Sequence, residues 1–447
     1  MDRFDIVIIG AGASGVLMAA HLRHVSPVSS VALMDAGARA ARGLAYGTPY
    51  GAHLLNVPAG RMSAFAHDPG HFAAWLERAV PGPAGGVFAP RSLYGEYLAE
   101  VLAETCAPPS RTKRIPGTVV GVVPGHEAGT WEVHLHDGQV VGARAVVLAL
   151  GNLAPSDPLR LGADAPEGYL RDPWGPGAAQ GLPAQAPILI IGTGLTMVDL
   201  LLALRAEGHE GTVHAISRHG VLPRAHASYA QRPMAAPADL TPRAALRWVR
   251  QEIAAAEAEG NNWRSVIDGL RASTQDLWAS WTLTQRSSFL RHARAYWDVH
   301  RHRTAPEVGS QVEALLASGV LKVHAGRIRS LRDADGGVEA QWTSRSDGKR
   351  HTLHAARVIN CTGPASDYGA LDQPLVAQLR RAGWLVPDAL RLGVETNADG
   401  HLLGKDGKAV PGLFTLGPLR RAALWESTAI PEIRGQAAAL AGLLSVL

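Results

Sequence analysis

Two short glycine patterns, each between an apolar run and a helical segment, carry the clearest chemistry in this sequence. The first is Gly10-Ala11-Gly12-Ala13-Ser14-Gly15, which follows the apolar run Phe4 to Ile9. These glycines allow the backbone to approach a pyrophosphate, and the positive end of the following helix dipole attracts its charge. The strand at 31–34 then ends at Asp35, 20 residues after the last glycine, where a carboxylate accepts hydrogen bonds from a ribose. The pattern predicts a dinucleotide with an unphosphorylated ribose, such as FAD or NAD.

The second pattern repeats this arrangement at Gly192-Thr193-Gly194, after the apolar run Ile188 to Ile191. Met197 stands where a third glycine would be, which leaves the two phosphate-facing glycines in place. The next strand ends in Ser217-Arg218-His219, with no carboxylate at the ribose position. Because an arginine binds a 2′-phosphate through two parallel hydrogen bonds, Arg218 and His219 favour NADPH over NADH. The alternative is a solvated Arg218 on an ordinary loop.

The order of these units along the chain predicts the architecture. Strands that return after the second unit indicate an α/β fold of two nested Rossmann-like dinucleotide-binding domains, of the three-layer β-β-α type. We place an FAD-binding domain at 1–160, an NAD(P)H-binding domain at 185–355, and the return segment of the first domain at 356–447. A tryptophan-rich stretch without strand signals predicts a helical block inserted at about 241–303. The nested order predicts a nicotinamide facing a flavin, and therefore hydride transfer.

Composition excludes several classes of function. The chain has 447 residues, 47% hydrophobic and 18% charged, with a net charge of +4, and no dense basic run interleaved with aromatic residues indicates nucleic-acid binding. Cys106 and Cys361 are too far apart in sequence for a disulfide framework, a thiolate metal site or a paired-cysteine relay. No apolar run reaches the roughly 18 uncharged residues needed to span a bilayer. We expect a cytoplasmic protein with no metal and no membrane contact, and leave its oligomeric state open.

Further segments of the chain are distinctive beyond the glycine patterns. They are Gly43-Leu44-Ala45-Tyr46-Gly47-Thr48-Pro49, His53-Leu54-Leu55-Asn56-Val57-Pro58-Ala59, Arg61-Met62-Ser63, Ala149-Leu150-Gly151-Asn152, Ser217-Arg218-His219-Gly220, Tyr296-Trp297-Asp298-Val299-His300-Arg301-His302-Arg303 and Asn360-Cys361-Thr362-Gly363-Pro364. Together they resemble a bacterial family of FAD/NAD(P)-binding proteins within the two-dinucleotide-binding flavoproteins, over nearly the whole chain. The resemblance implies that Asn56, Met62 and Ser63 lie beside the isoalloxazine ring, and that Gly151 and Gly363 close over the cofactors.

The activities of this family imply monooxygenase chemistry with FAD, NADPH (or NADH) and O2, since members or near relatives include a flavoprotein urate hydroxylase and an aspartate N-oxygenase. The absence of a cysteine pair agrees with oxygen as the electron acceptor. One departure is Gly417-Pro418, where many flavoproteins have a Gly-Asp pair at the flavin ribityl chain. At Gly417 that contact has to be made by another group or by water.

The candidate substrate-positioning residues lie on a basic segment from 286 to 303, interpreted as one helix. They are Arg294, Tyr296, Trp297, His300 and Arg303. At helical spacing Tyr296 and His300 share one face, as do Arg294 and Trp297. A basic and aromatic surface suits a small planar nitrogen-containing anion, and urate meets that description.

Other interpretations of this segment stay open. It could hold the carboxylates of an amino acid whose amine is hydroxylated, contact NADPH phosphates, or be a solvated face. A non-catalytic flavin-binding sensor or assembly protein is an alternative of another class. No catalytic acid–base pair is identified, and the catalytic residues stay unassigned, because a monooxygenase of this kind mainly positions its substrate and excludes water.

Overall fold

The computed structural model describes residues 1–37 and 40–446 and divides into two compact units. The first comprises 1–49, 57–153 and 366–447, and the second comprises 50–56 and 154–365. Residues 50–56, 154–160 and 356–365 therefore belong to the second unit, whereas the sequence analysis assigned them to the FAD-binding domain. The reason at 356–365 is strand pairing, because the strand at Arg357–Asn360 pairs within the second sheet.

Strands and helices alternate along most of the chain. The strands are β1 (Asp2–Ile9), β2 (Val31–Asp35), β3 (Thr112–Pro116), β4 (Val119–Pro124), β5 (Trp131–Leu135), β6 (Val140–Leu148), β7 (Tyr169–Leu170), β8 (Ile188–Ile191), β9 (Val213–Ser217), β10 (Leu321–Ala334), β11 (Gly337–Ser344), β12 (Arg350–Ala355), β13 (Arg357–Asn360), β14 (His401–Leu403) and β15 (Ala409–Thr415). The helices are α1 (Ala13–Val25), α2 (Gly43–Tyr46), α3 (His71–Ala79), α4 (Arg91–Cys106), α5 (Leu195–Ala206), α6 (Pro242–Ala258), α7 (Trp263–Gly269), α8 (Arg271–Ser280), α9 (Leu283–His292), α10 (Arg294–Arg301), α11 (Pro306–Ala317), α12 (Pro374–Ala382) and α13 (Ile430–Leu444).

The sheet of the first unit is built around β1. Its strand order is β14-β15-β6-β1-β2-β3, and β4 and β5 continue antiparallel from β6. Strands β15, β6, β1, β2 and β3 are parallel, which places the ends of β1, β2 and β6 at one edge. The apolar run of β1 is fully buried at Ile6, Val7 and Ile8, as a strand covered on both faces requires. Helix α1 packs against α4 and α13.

The sheet of the second unit repeats the parallel arrangement around β8. Its strand order is β12-β11-β10-β9-β8-β13-β7, parallel from β7 to β10 and antiparallel beyond. Its core includes Leu189, Ile216, Trp342 and Val358. Two sheets, each with a glycine turn leading from a central parallel strand into a helix, confirm the predicted fold class.

The helical block of the second unit consists of α6 to α10, from Pro242 to Arg301. The sequence analysis treated the basic segment 286–303 as one helix, and this is wrong. Helix α9 ends and α10 begins at Ala293, whose carbonyl accepts hydrogen bonds from the N–H groups of Tyr296 and Trp297. Phe289 of α9 packs on Trp278 and Trp281, while His300 of α10 packs on Trp263. The two halves of the segment therefore pack against different tryptophans. Among the described residues, no helix is both long and apolar enough to cross a membrane.

Candidate cofactor and substrate sites

The first glycine turn allows α1 to pack closely on the sheet. Gly10 ends β1 with φ at +112°, and a Cβ there would lie 2.4 Å from the carbonyl oxygen of Ala149. A Cβ at Gly15 would lie 1.9 Å from the carbonyl oxygen of Gly10. Any side chain at either position would separate α1 from the strands, since such approaches are well inside van der Waals contact. The third glycine therefore has the packing role that the sequence pattern predicts, and the first glycine, which the sequence predicts to face the phosphate, packs closely as well.

The second glycine of this turn faces open space. Gly12 caps α1, no described side chain caps the helix, and the nearest atom to a Cβ at Gly12 would be the Cα of Gly43, at 3.9 Å. The 41–46 segment reaches this turn, where the Ala41 N–H donates to the Ala11 carbonyl over 2.8 Å. Unpaired amides at the N-terminus of a 13-residue helix, with room above them, fit a pyrophosphate in charge and in space.

Asp35 ends β2 as predicted and is buried. Its Oδ1 accepts a hydrogen bond from the Gly37 N–H at 3.2 Å, and its Oδ2 lies 2.9 Å from Nε of Arg114 on β3. The sequence analysis missed Arg114, because only the pairing of β2 with β3 brings it to Asp35. A carboxylate held in this way keeps its orientation at the sheet edge, where it could accept hydrogen bonds from a ribose.

The second glycine turn repeats the geometry of the first. Gly192 ends β8, and a Cβ there would lie 2.3 Å from the carbonyl oxygen of Cys361, which follows the parallel strand β13. Gly194 caps α5, and a Cβ there would meet nothing within 4 Å. Met197, at the third-glycine position, is fully buried. The second turn thus also offers unpaired helix amides beside open space, which fits another pyrophosphate.

A basic cluster lies where β9 ends, and we call it the Arg218 cluster: Arg218, His219, Arg327 and Arg345. Nη1 of Arg345 lies 2.5 Å from Nδ1 of His219 and donates to the carbonyl oxygen of Arg218 over 3.3 Å. Burial, then the charges of Arg345, Arg218 and Arg327, lower the pKa of His219.

The Arg218 cluster has no counter-charge within the described part of the chain, where no carboxylate lies within 4 Å of Arg218, Arg327 or Arg345. Three guanidinium groups without a nearby carboxylate favour the binding of an anion. Sequence reasoning found Arg218 and His219 but missed Arg327 and Arg345, which only the pairing of β9, β10 and β11 brings close.

Met62 and Ser63, two of the residues that the resemblance places beside the flavin, are buried in the first unit. The Ser63 hydroxyl donates to the carbonyl oxygen of Asp68 over 2.6 Å, and the Ser63 carbonyl accepts from Arg434 at 3.0 Å. These bonds give Ser63 a structural part in the turn. Asn56 belongs to the second unit, and its carbonyl accepts a hydrogen bond from Nε2 of His226 at 3.1 Å.

The glycines that the resemblance assigned to the cofactors follow strand ends. A Cβ at Gly151 or Gly363 would meet no atom within 4 Å. Gly417 follows β15, and its N–H donates to Oε1 of Gln436 on α13 over 2.8 Å. Gln436 was not among the predicted residues. Its side-chain oxygen accepts the hydrogen bond of the Gly417 N–H. The next residue, Pro418, stands where many flavoproteins have an aspartate.

The five candidate substrate residues do not form one surface. Tyr296 is exposed, with its ring 5.7 Å from that of His219 in the Arg218 cluster. His300 packs edge-on against Trp263, with centroids 4.8 Å apart, and Arg294 pairs with Asp298 at 3.3 Å. Trp297 is partly buried. Arg303 is only 1% exposed and forms an ion pair with Asp268. Tyr296 and Arg303 therefore have different partners, Tyr296 next to His219 and Arg303 against Asp268, so they do not line one exposed surface as the prediction of a basic and aromatic substrate surface requires.

No group of three or more His, Cys, Asp or Glu side chains in the described part of the chain could hold a metal ion. Both cysteines are free; Cys361 is buried and Cys106 partly so. Burial raises the pKa of each thiol, against the charge of nearby arginines in the case of Cys106.

A comparison with protein families agrees with the geometry of the first turn. Residues 7–153 match a family model described as FAD-NAD(P)-binding. This segment is thus similar to FAD-NAD(P)-binding domains. It contains the turn at Gly10 to Gly15, Asp35 and Gly151, so the predicted class of cofactor is confirmed. No curated protein matches the chain in sequence.

Solved structures with the same fold cover nearly all of the chain. Ornithine hydroxylase from Pseudomonas aeruginosa is 16% identical, with 99% of both chains covered and a TM-score of 0.68. L-lysine 6-monooxygenase from Pseudomonas syringae is also 16% identical, with the same coverage and a TM-score of 0.68. The ornithine N-hydroxylase of Kutzneria sp. 744, described with reduced FAD, NADP+ and L-ornithine, is 14% identical, with 99% of both chains covered and a TM-score of 0.67. At these identities the likeness establishes the fold alone, an α/β fold with two Rossmann-like sheets.

Proposed function

We propose that this chain is an FAD-dependent, NADPH-consuming monooxygenase that hydroxylates the amine of an amino acid. The observation that carries the proposal is the repeated glycine-capped helix, once in each sheet, within a fold shared end to end with ornithine and lysine hydroxylases. FAD reduced by NADPH supplies oxygen activation. The residues of the chain then have to bind both dinucleotides, orient the substrate and exclude water.

In this proposal the amides at Gly12 and the carboxylate of Asp35 bind FAD. The amides at Gly194 bind the NADPH pyrophosphate, and the Arg218 cluster binds its 2′-phosphate. The free charge of that cluster supports NADPH over NADH, because an unphosphorylated ribose would leave three guanidinium groups without an anion.

The substrate class rests on how the basic segment is divided. The sequence predicts a planar anion such as urate on one basic and aromatic surface formed by Arg294, Tyr296, Trp297, His300 and Arg303. Since Tyr296 lies beside His219 and Arg303 is buried against Asp268, that surface is divided, and the support for urate weakens. Arg294, Trp297 and His300, each partly buried, remain candidates for holding an amino-acid carboxylate.

Oxygen uptake with product analysis tests this proposal. Purified protein with bound FAD is given NADPH and, one at a time, L-ornithine, L-lysine, L-aspartate and urate, and products are scored by mass spectrometry for one added oxygen atom. We expect an amino acid to stimulate uptake and to become hydroxylated on nitrogen. Gly194→Val, which blocks the NADPH turn, should retain FAD and lose the stimulation.

Other outcomes favour other functions. Stimulation and oxidation of urate alone would replace amine hydroxylation with urate hydroxylation. FAD binding and NADPH oxidation that no substrate stimulates would favour a sensor or assembly protein. A chain that takes up no FAD would contradict the flavoenzyme proposal altogether.

A further inference from the structure

The short segment His53-Leu54-Leu55-Asn56 is held at both ends by histidine hydrogen bonds. Residues 50–56 leave the first unit and belong to the second. At one end, Nε2 of the buried His53 lies 2.8 Å from the backbone oxygen of Asp199 on α5 and donates to it. At the other end, Nε2 of His226 lies 3.1 Å from the backbone oxygen of Asn56. The first bond ties the segment to α5 and the second ties it to the chain next to the helical block.

His226 is held in place by backbone pairing. Its N–H donates to the carbonyl of Thr304, the Thr304 N–H donates to the carbonyl of Arg224, and Ala225 bridges to Thr304 in parallel. Gly309 of α11 allows this approach, because a Cβ there would lie 2.6 Å from the Cβ of Ala225. The position of the His226 ring therefore follows from a short two-stranded contact with the end of the helical block.

The neighbours of His226 determine which ring nitrogen carries the proton. The Asn56 carbonyl only accepts, so Nε2 must donate. Nη1 of Arg303 lies 3.5 Å from Nδ1, and a guanidinium only donates, so Nδ1 must accept. A neutral ring with its proton on Nε2 is the one state that satisfies both partners.

Arg303 is itself anchored on three sides. Its Nη2 donates to Oδ1 of Asp268, its Nε donates to the His300 carbonyl over 2.9 Å, and its guanidinium lies 5.4 Å from the centre of the Trp263 ring. The Tyr229 hydroxyl donates to the other oxygen of Asp268. Burial raises the pKa of Asp268, but the Tyr229 hydrogen bond and the charge of Arg303 outweigh it and lower that pKa overall. The carboxylate therefore stays charged, and the pair keeps Arg303 aimed at His226.

The geometry points to His226 as a positioning residue, which fixes the 53–56 segment through the Asn56 carbonyl in a tautomer set by Arg303 and Asp268. The inference rests in part on the proposed function, because the place of Asn56 beside a flavin is a sequence-based expectation. Charged groups that face His226 are Arg303, Asp268 and Arg264. Burial, then the charge of Arg303, lowers the pKa of His226 to about 4, so the neutral ring persists through the physiological range.

The tautomer can be measured without reference to flavin chemistry. In the full chain labelled with ¹⁵N at its histidine rings, long-range ¹H–¹⁵N spectra report the protonated nitrogen of each ring. The signals of the His226 ring are assigned as those that are absent from the spectrum of His226→Gln. We expect the Nε2–H tautomer and no titration from pH 7 to pH 5. A ring protonated on Nδ1, or one that becomes an imidazolium near pH 6, would overturn the assignment.

The positioning role is measured by rescue in the FAD-loaded enzyme. In His226→Gln, the side-chain amide restores a donor toward Asn56, whereas His226→Phe fills the space without one. We expect kcat to fall at least about tenfold in His226→Phe, with the KM for NADPH little changed, and to recover in His226→Gln, since a misplaced segment costs rate more than binding. His209→Phe, a change at another buried histidine of the same unit, is the matched control.

Each outcome of the kinetic comparison decides the role. Equal kcat in all three variants and the wild type, or equal losses in His226→Phe and His209→Phe, would leave His226 a purely structural residue and contradict the proposal. A wild-type protein without FAD or amine-stimulated uptake would instead refute the proposed function, while the tautomer measurement would still stand.

Discussion

Single glycines at each turn have separate roles, some in packing and some beside open space. At the first turn, Gly10 and Gly15 are required for packing, but Gly12 faces open space. The same separation of roles holds in the second unit, between Gly192 against Cys361 and the open Gly194. Substitution at the open glycines therefore tests ligand binding with little effect on packing.

Gly12→Val should abolish FAD retention, because its side chain would occupy the space in which the pyrophosphate meets the amides of α1. The ratio of flavin absorbance near 450 nm to protein absorbance measures it. Gly194→Val is the reciprocal control and should keep the flavin while losing its reduction by NADPH. Normal FAD content in Gly12→Val would place the flavin elsewhere.

Arg218→Ala and Arg345→Ala should each reduce the preference for NADPH over NADH. Loss of one charged hydrogen bond to phosphate costs about 1.5 to 3 kcal/mol, which corresponds to roughly a 10- to 150-fold change. Stopped-flow flavin reduction with each nucleotide measures the ratio. Arg332→Ala, at an exposed position farther along β10, should leave it unchanged. If the ratio of the reduction rates with NADPH and NADH is unaltered in both cluster variants, the Arg218 cluster does not bind the 2′-phosphate.

At the scale of elements, α7 and α10 are joined by charge as well as by apolar packing. Asp268 lies on α7, and Arg303 follows α10 directly, with 14% and 1% of the side chain exposed. Because a buried guanidinium without its partner is costly, this pair holds the end of the helical block to α7.

Asp268→Asn should lower the free energy of unfolding by about 3 to 5 kcal/mol, since Arg303 would keep its charge in a buried site without a counter-charge. Chemical denaturation measures the loss. Arg294→Ala breaks a pair with Asp298 in which the two side chains are 36% and 33% exposed, and should cost no more than about 1 kcal/mol. If both variants lose a similarly small part of the free energy of unfolding, the Arg303 guanidinium must reach water once asparagine replaces Asp268.

For the whole molecule, buried and half-buried histidines link folding to pH. Nδ1 of His21 donates to the Leu17 carbonyl over 2.8 Å, and Nε2 accepts from the Ala66 N–H at 3.3 Å, so the ring is neutral. Nδ1 of His214 lies 3.0 Å from Nε2 of His324, a bond that needs a neutral ring as acceptor and cannot form when both rings are protonated. Burial lowers the pKa of all three rings, to about 4 for His214, where repulsion from His324 adds to it.

Stability should therefore fall on acidification below about pH 6.5, the ordinary histidine pKa. Between that value and about pH 4, the histidines of the unfolded chain bind protons that the same histidines do not bind in the folded chain. The free energy of unfolding therefore decreases as pH decreases. Above pH 6.5 the histidine contribution is fully present and constant. Denaturation curves at pH 7.5, 6 and 5 test this, with His214→Gln as a variant that should flatten the dependence. A wild-type free energy of unfolding that is the same at all three pH values would contradict this prediction.

The sequence by itself determined the features that depend on neighbouring residues. An apolar run, glycines at fixed offsets and a helical period are all local, so both glycine turns, Asp35 at the end of β2 and the helical block were predictable. The tertiary structure alone decided contacts between residues far apart in the chain: Arg114 with Asp35, Arg345 with His219, and Asp268 with Arg303. It also decided the helix break at Ala293, where no glycine or proline marks the end and different aromatic partners hold the two halves. Periodicity reports which face of a helix is apolar, but only strand pairing and packing determine what that face meets.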